Sequence, residues 1–222
     1  LTLVNSDWTG EIFRAKYGGV PRTVYPPVAG SFPEVAWQAR KNGFVCLGRI
    51  APEKDIDTII DIVAEVRGRH PDVQLHIIGS PGSARYYRRI RRRIQANRSW
   101  ITLHQDVDFG EVRRLIAENR YGIHAMPNEH FGMAPAEMAT GGCIVWVRDD
   151  GGQVEIVGRD PRLMFDSRRD AVSKILATMA SASAQASLRA TLRERAPLFS
   201  CERFMSGIKA AVNEQLSNPD VS

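Results

Sequence analysis

From residue 43 onward, short apolar runs alternate with segments whose apolar residues recur every three or four positions. The runs are FVCLG (44–48), VQLHII (73–78), WITLH (100–104), GIHAM (122–126), CIVWV (143–147) and LMF (163–165). Helical spacing fills the gaps at about 56–68, 84–97, 109–119, 133–141 and 153–158. Regular strand–helix alternation predicts βαβ units and a parallel sheet. Near-continuous apolar strands predict that helices cover both faces. The expected fold class is α/β, a doubly wound, Rossmann-like parallel sheet.

After this unit the pattern stays helical, at roughly 168–182, 185–196 and 201–216, with Pro197 marking a break. The first 42 residues differ. NSDWTGEIFRAKYGG reads as a capped helix ending at a glycine pair, and VYPPVAGSFPEV as an extended connector. The chain thus divides into a lead-in helix and connector (1–42), a Rossmann-like domain (43–200), and a C-terminal helix and tail (201–222). The lead-in is expected to continue from an N-terminal domain outside this sequence.

Composition is that of an ordinary globular chain, 43% hydrophobic and 25% charged. Cys46, Cys143 and Cys201 are odd in number and lack CxxC spacing, which predicts reduced thiols and a cytoplasmic location. No secretory signal is expected, and no apolar run nears the roughly 20 residues of a membrane span, so membrane contact would be peripheral. The net charge of +5 is uneven: seven arginines fall in RYYRRIRRRIQANR (85–98). Such a stretch suits phosphate-rich partners or anionic lipid heads. An ordinary solvated helix with Tyr87, Ile90 and Ile94 turned inward explains it as well and is preferred. Nucleic-acid binding is not expected, because no stacking aromatics are interleaved in a groove-like pattern.

In open α/β sheets ligands bind beyond the carboxyl ends of the strands, and three loops there hold suggestive residues. In GRIAPEKD (48–55), Gly48 permits close backbone approach while Arg49 and Lys54 offer two cations to one diphosphate. A surface turn with a Glu53–Lys54 pair is the bland alternative. In NEHFGMAPAE (128–137), Pro135 places a helix start near Met133. The amides of Gly132, Met133 and Ala134 then form an anion site, with Glu129 in the loop and Glu137 one turn into the helix. Carboxylates only accept hydrogen bonds, so these two suit sugar or ribose hydroxyls. Complementing the helix dipole is the alternative, which explains Glu137 better than Glu129. In RDDGGQVEIV (148–157), Gly151 and Gly152 permit a tight turn, and Gln153 is expected to begin a short helix with amides facing the same pocket.

No metal is expected. Of the two DxD triplets, Asp55/Asp57 and Asp106/Asp108, Asp108 followed by Glu111 reads as a capping box and Asp57 sits at a helix start. The histidines show no HxxxH spacing; His76 and His124 lie in core-like strands, and His130 would line the pocket beside Glu129.

LGRIAPEKD, LHIIGS, NEHFGMAPAEMATGG and DDGGQVEIV, in this order, resemble the C-terminal, nucleotide-sugar-binding half of GT-B retaining glycosyltransferases of family 4. The two acids eight positions apart are the most specific element, and the likeness runs from about residue 2 to 216. NEHFG and DDGGQVEIV are especially similar to mannosyltransferases that extend dolichol-linked oligosaccharide using GDP-mannose. EMATGGCIV lacks the proline that many relatives carry there. The resemblance implies hexose transfer from a nucleoside-diphosphate sugar, with no metal or other cofactor. It implies that Arg49 and Lys54 hold the diphosphate and its leaving group, Glu129 the sugar hydroxyls and Glu137 the ribose. The amides of Phe131, Gly132, Met133 and Ala134 would hold phosphate and sugar oxygens, with His130 lining the donor site. Gly79 and Gly152 would line the pocket, and the segment from Gln105 to Val107 would meet the base. The acceptor would be held by an N-terminal domain or partner subunit, leaving the isolated domain able to bind donor weakly and unable to transfer sugar. A sugar-nucleotide-binding module without catalysis is the alternative.

Overall fold

The computed structural model describes residues 1–217; residues 218–222, the expected tail, lie outside the described residues. The lead-in holds β1 (Leu3–Val4), α1 (Asp7–Tyr17) and β2 (Arg22–Thr23), the two strands forming a small parallel ladder. Helix α1 starts where Ser6 Oγ accepts from the Thr9 amide at 3.1 Å, and its backbone turns out at Gly18.

Strands β3 (Lys41–Leu47), β4 (Gln74–Ile78), β5 (Ile101–His104), β6 (Asn119–His124), β7 (Ile144–Arg148) and β8 (Met164–Phe165) form one parallel sheet. Between them run α2 (Ile56–Arg67), α3 (Ala84–Ala96), α4 (Phe109–Glu118), α5 (Met133–Thr140) and α6 (Gln153–Ile156). Helices α7 (Arg168–Met179), α8 (Ala182–Arg195) and α9 (Cys201–Ser217) complete the described chain. Helix α2 packs on α7, and α5 packs on α8. The predicted doubly wound α/β architecture is the observed one.

The sheet order β5-β4-β3-β6-β7-β8 decides where a ligand belongs. The chain builds outward from β3 to β5, then returns beside β3 with β6 and builds the other way. The crevice between the carboxyl ends of β3 and β6 is therefore the topological switch point. Beneath it, Phe44, Tyr121 and Trp146 from three neighbouring strands pack with ring centroids 5.1–6.1 Å apart. These large buried rings, with isoleucines and valines of α2, fix the strand positions that set the loops.

Boundary differences have local causes. Strands β3 and β6 begin earlier than the apolar pattern indicates, because polar Lys41 and Asn119 already pair across the ladder. Helix α8 begins at Ala182, where Ser181 Oγ caps the Ala184 amide at 3.1 Å. Pro197 lies in a tight 3-10 turn, Ala196–Phe199, that buries Phe199.

Candidate functional site

The two loops flanking the switch point meet through their side chains. After β3, Gly48 has φ 139° and its amide donates to the Ile78 carbonyl at 3.0 Å. The chain then makes a 3-10 turn, Pro52–Lys54, before Asp55 in the left-handed region starts α2. This turn corrects the Glu53–Lys54 pairing: Glu53 binds Arg49 at 3.3 Å, while Lys54 turns inward to Glu129 at 2.9 Å. Lys54 and Glu129 are only 19% and 16% exposed, whereas Arg49 is 70% exposed. The inward pair is the stronger, since water screens it less.

Glu129 is held by two donors, Lys54 Nζ and, at 3.2 Å, His124 Nε2. Burial alone would raise its pKa; the bonds from His124 and Lys54 outweigh that and bring it down to about 2. His124 is itself fully buried, and burial lowers its pKa, so the neutral ring donates Nε2–H to the carboxylate. Glu137 is the opposite case. Partly buried and only weakly offset by Arg113, its carboxyl is raised above the ordinary range.

Helix α5 opens at Gly132 with φ 104° and no side-chain cap. The amides of Phe131, Gly132, Met133 and Ala134 donate to no protein acceptor among the described residues, and Pro135 has no N–H to lose. Gly132 is required here: a Cβ would lie 2.9 Å from Pro135 Cγ and 3.2 Å from Ile156 Cδ1. The predicted helix start is thus observed at Met133.

A cavity of about 580 Å³ unites these features. Gly48, Arg49, Lys54, Glu129, His130 and Glu137 line it, with the backbone run from Phe131 to Ala134. Asn5, Pro26 and Leu47 also line it and were not singled out in the sequence. The Phe131 side chain faces away, stacking on Tyr25 at 5.8 Å and meeting Phe199 edge-on. Glu137 lines, in addition, an adjoining cavity of about 200 Å³ with Phe109 and Met133.

Three expected lining residues lie elsewhere. Gly79, at φ 155°, packs against the Gly48 carbonyl and supports the first loop from behind. Val107 packs against the core. Gly152 spends its amide on the Glu129 carbonyl at 2.7 Å. Its loop presses backbone against backbone beneath residues 128–130, and Gln153 Nε2 holds the Met126 carbonyl at 2.8 Å.

The lead-in is bolted to the same loop. Ser6 Oγ donates to the His130 carbonyl at 2.5 Å, and the Trp8 ring lies 5.7 Å from the His130 ring. Buried Glu155 accepts from the amides of Asp7 and Trp8 at 3.0 and 2.9 Å and from the Tyr25 hydroxyl at 2.9 Å. Its position inside the apolar stretch VEIV was the signal available: a buried acid needs donors.

Three of the four aspartates of the DxD triplets are occupied, while Asp55 starts α2 without a side-chain cap bond. Asp57 accepts from Arg89 and Arg93, Asp106 from Ser80 and Gln105, and Asp108 caps α4 through the Glu111 amide at 2.9 Å. No group of three or more metal-ligating side chains occurs among the described residues. His76 and His104 face each other at 3.0 Å on β4 and β5; burial chiefly brings His76 down to about 4.

The model for "Glycosyl transferases group 1" matches residues 31–198. Among curated proteins, the chain is 29% identical over 173 residues to a GDP-Man:Man(3)GlcNAc(2)-PP-Dol alpha-1,2-mannosyltransferase of Candida glabrata, covering 68% of this chain and 33% of that one. It is 25% identical over 227 residues to the Homo sapiens protein of the same name, covering 92% and 46%. The chain therefore spans between a third and a half of these relatives. Among solved structures, the pneumococcal O-GlcNAc transferase GtfA in complex with UDP and GlcNAc superposes with a TM-score of 0.77 at 23% identity, covering 96% of this chain and 45% of that one. Anabaena HepE in complex with UDP and glucose gives 0.82 at 15% identity, covering 96% and 63%.

Proposed function

The chain belongs to the group 1 glycosyl transferases, and from that membership we propose that it is the donor-binding half of an enzyme transferring a hexose from a nucleoside-diphosphate sugar. The observation carrying this reading is the inward Lys54–Glu129 pair facing the uncapped start of α5 in one cavity. The diphosphate lies between two cations and a run of free amides, an arrangement that favours negative charge. Arg49 joins by leaving Glu53, an exposed pair that costs little to break. Together Arg49 and Lys54 stabilise the charge that grows on the departing nucleoside diphosphate, without a metal ion.

Glu129, ionised at any ordinary pH, accepts from hydroxyls of the transferred sugar. Glu137 accepts from the ribose, at the junction with the smaller cavity. The base meets the segment from Gln105 to Val107, next to Phe109 of that cavity. Transfer proceeds with retention of configuration. The curated relatives are two to three times as long, which supports an acceptor site on a further domain or partner subunit. Their names support mannose from GDP-mannose as the donor and a dolichol-diphosphate-linked oligosaccharide as the acceptor. The exposed arginines of α3 support peripheral contact with an anionic membrane face.

A thermal-shift panel of GDP, UDP, ADP and their sugar conjugates tests the reading. Ligand at about 100 times its Kd adds roughly 2.7 kcal/mol of stability, so at least one of these nucleotides is expected to raise Tm clearly. No shift with any of them would contradict it.

A further inference from the structure

We propose that the chain carries a second anion site, separate from the donor cavity, in which Arg40, Arg189 and Arg193 hold the phosphate of a small phosphorylated organic molecule. It lies at the opposite end of α5, about 12 Å along the helix axis from the helix start. There the connector, the turn after α5 and helix α8 enclose a cavity of about 710 Å³.

The three arginines line this cavity without carboxylate partners among the described residues. Arg40 donates only to neutral groups, the carbonyls of Val35 at 3.2 Å and Asn119 at 3.3 Å. Arg189 lies over the Trp37 ring, 4.4 Å from its centroid, and Arg193 is exposed on α8. Glu34 is the one acid on the wall; it is exposed on the connector and pairs with none of them. Burial, then repulsion from Arg193 and Arg40, lowers the pKa of Arg189, so the like charges feel one another. The carbonyl end of α5 offsets part of the charge on Arg40; Arg189 has only the ring. Like cations gathered without a counter-charge are an unfavourable arrangement that a bound anion relieves.

One further feature fits a ligand. Phe32, Pro33 and Leu192 give the cavity an apolar side, and its volume exceeds that of a bare phosphate. An arginine cluster beside an apolar wall suits a phosphomonoester on a small organic body, with the fork of guanidinium donors on the charged oxygens.

The test titrates phenyl phosphate and inorganic pyrophosphate calorimetrically into the full chain carrying Lys54→Ala, which removes the inward cation of the donor cavity. Binding is expected to persist, and to weaken at least tenfold when Arg193→Ala is added. Arg193 is exposed, so that variant is expected to unfold at an unchanged temperature. Arg189→Lys, which keeps the charge and loses the fork, serves as the second variant and is expected to weaken binding as well. Three results would overturn the proposal: no binding of either probe to the Lys54→Ala chain, binding indifferent to both arginine variants, or equal weakening by Arg91→Ala on the distant surface of α3.

Discussion

Glu129 and Glu137 lie eight positions apart, yet their surroundings push their acidities in opposite directions. Glu129 sits between Lys54 and His124 and titrates near 2; Glu137, short of donors, is raised. A carboxyl whose folded pKa falls below its unfolded value of 4.5 stabilises the fold above that pH, and the contribution fades as pH drops toward 2. Glu129→Gln is therefore expected to cost about 3 kcal/mol at pH 7, shrinking to near zero by about pH 2. Urea unfolding of both proteins across that range checks this; a pH-independent difference would contradict it. The motif NEHFG pointed to this residue, but its partners were not legible. Lys54 is 75 residues away, and its neighbour Glu53 offered a local pairing that the 3-10 turn prevents.

At the scale of elements, α5 shows why apparent helix defects mark a site. Gly132 and Pro135 start the helix cleanly and leave its first amides unused. Gly132→Ala forces a side chain into the left-handed region against Pro135, so a loss of roughly 1–3 kcal/mol is expected in thermal or urea unfolding. Helix α1 depends on Glu155 in a different way, since both its carboxylate oxygens cap the helix start. Glu155→Gln turns one acceptor into a donor facing an N–H. Hydrogen exchange across residues 7–17 is then expected to speed up while the six-stranded sheet keeps its protection. Unchanged protection in α1 would remove Glu155 from this role. The main strands and helices were legible because apolar runs and helical spacing are local properties. The two-residue strands β1 and β2 were not, because pairing between distant segments creates them.

For the whole molecule, the sheet order explains why residues from positions 5, 26, 48–54 and 129–137 share one cavity. The alternating pattern implied the switch point, and the family resemblance implied most of the lining. It did not reveal that the lead-in is part of the site, through Ser6, Asn5 and Pro26. Nor did it distinguish glycines that line the cavity from those that brace the loops, as Gly79 and Gly152 do, because that depends on which backbone each one meets. The central claim is that one diphosphate lies between Lys54 and the start of α5. Its most direct test is a calorimetric titration of the chain, and of its Lys54→Ala variant, with the nucleoside-diphosphate sugar that stabilises it most. The account predicts saturable one-to-one binding that Lys54→Ala weakens about 10- to 100-fold, the worth of one charge-assisted hydrogen bond. Equal affinity in the two proteins would contradict it.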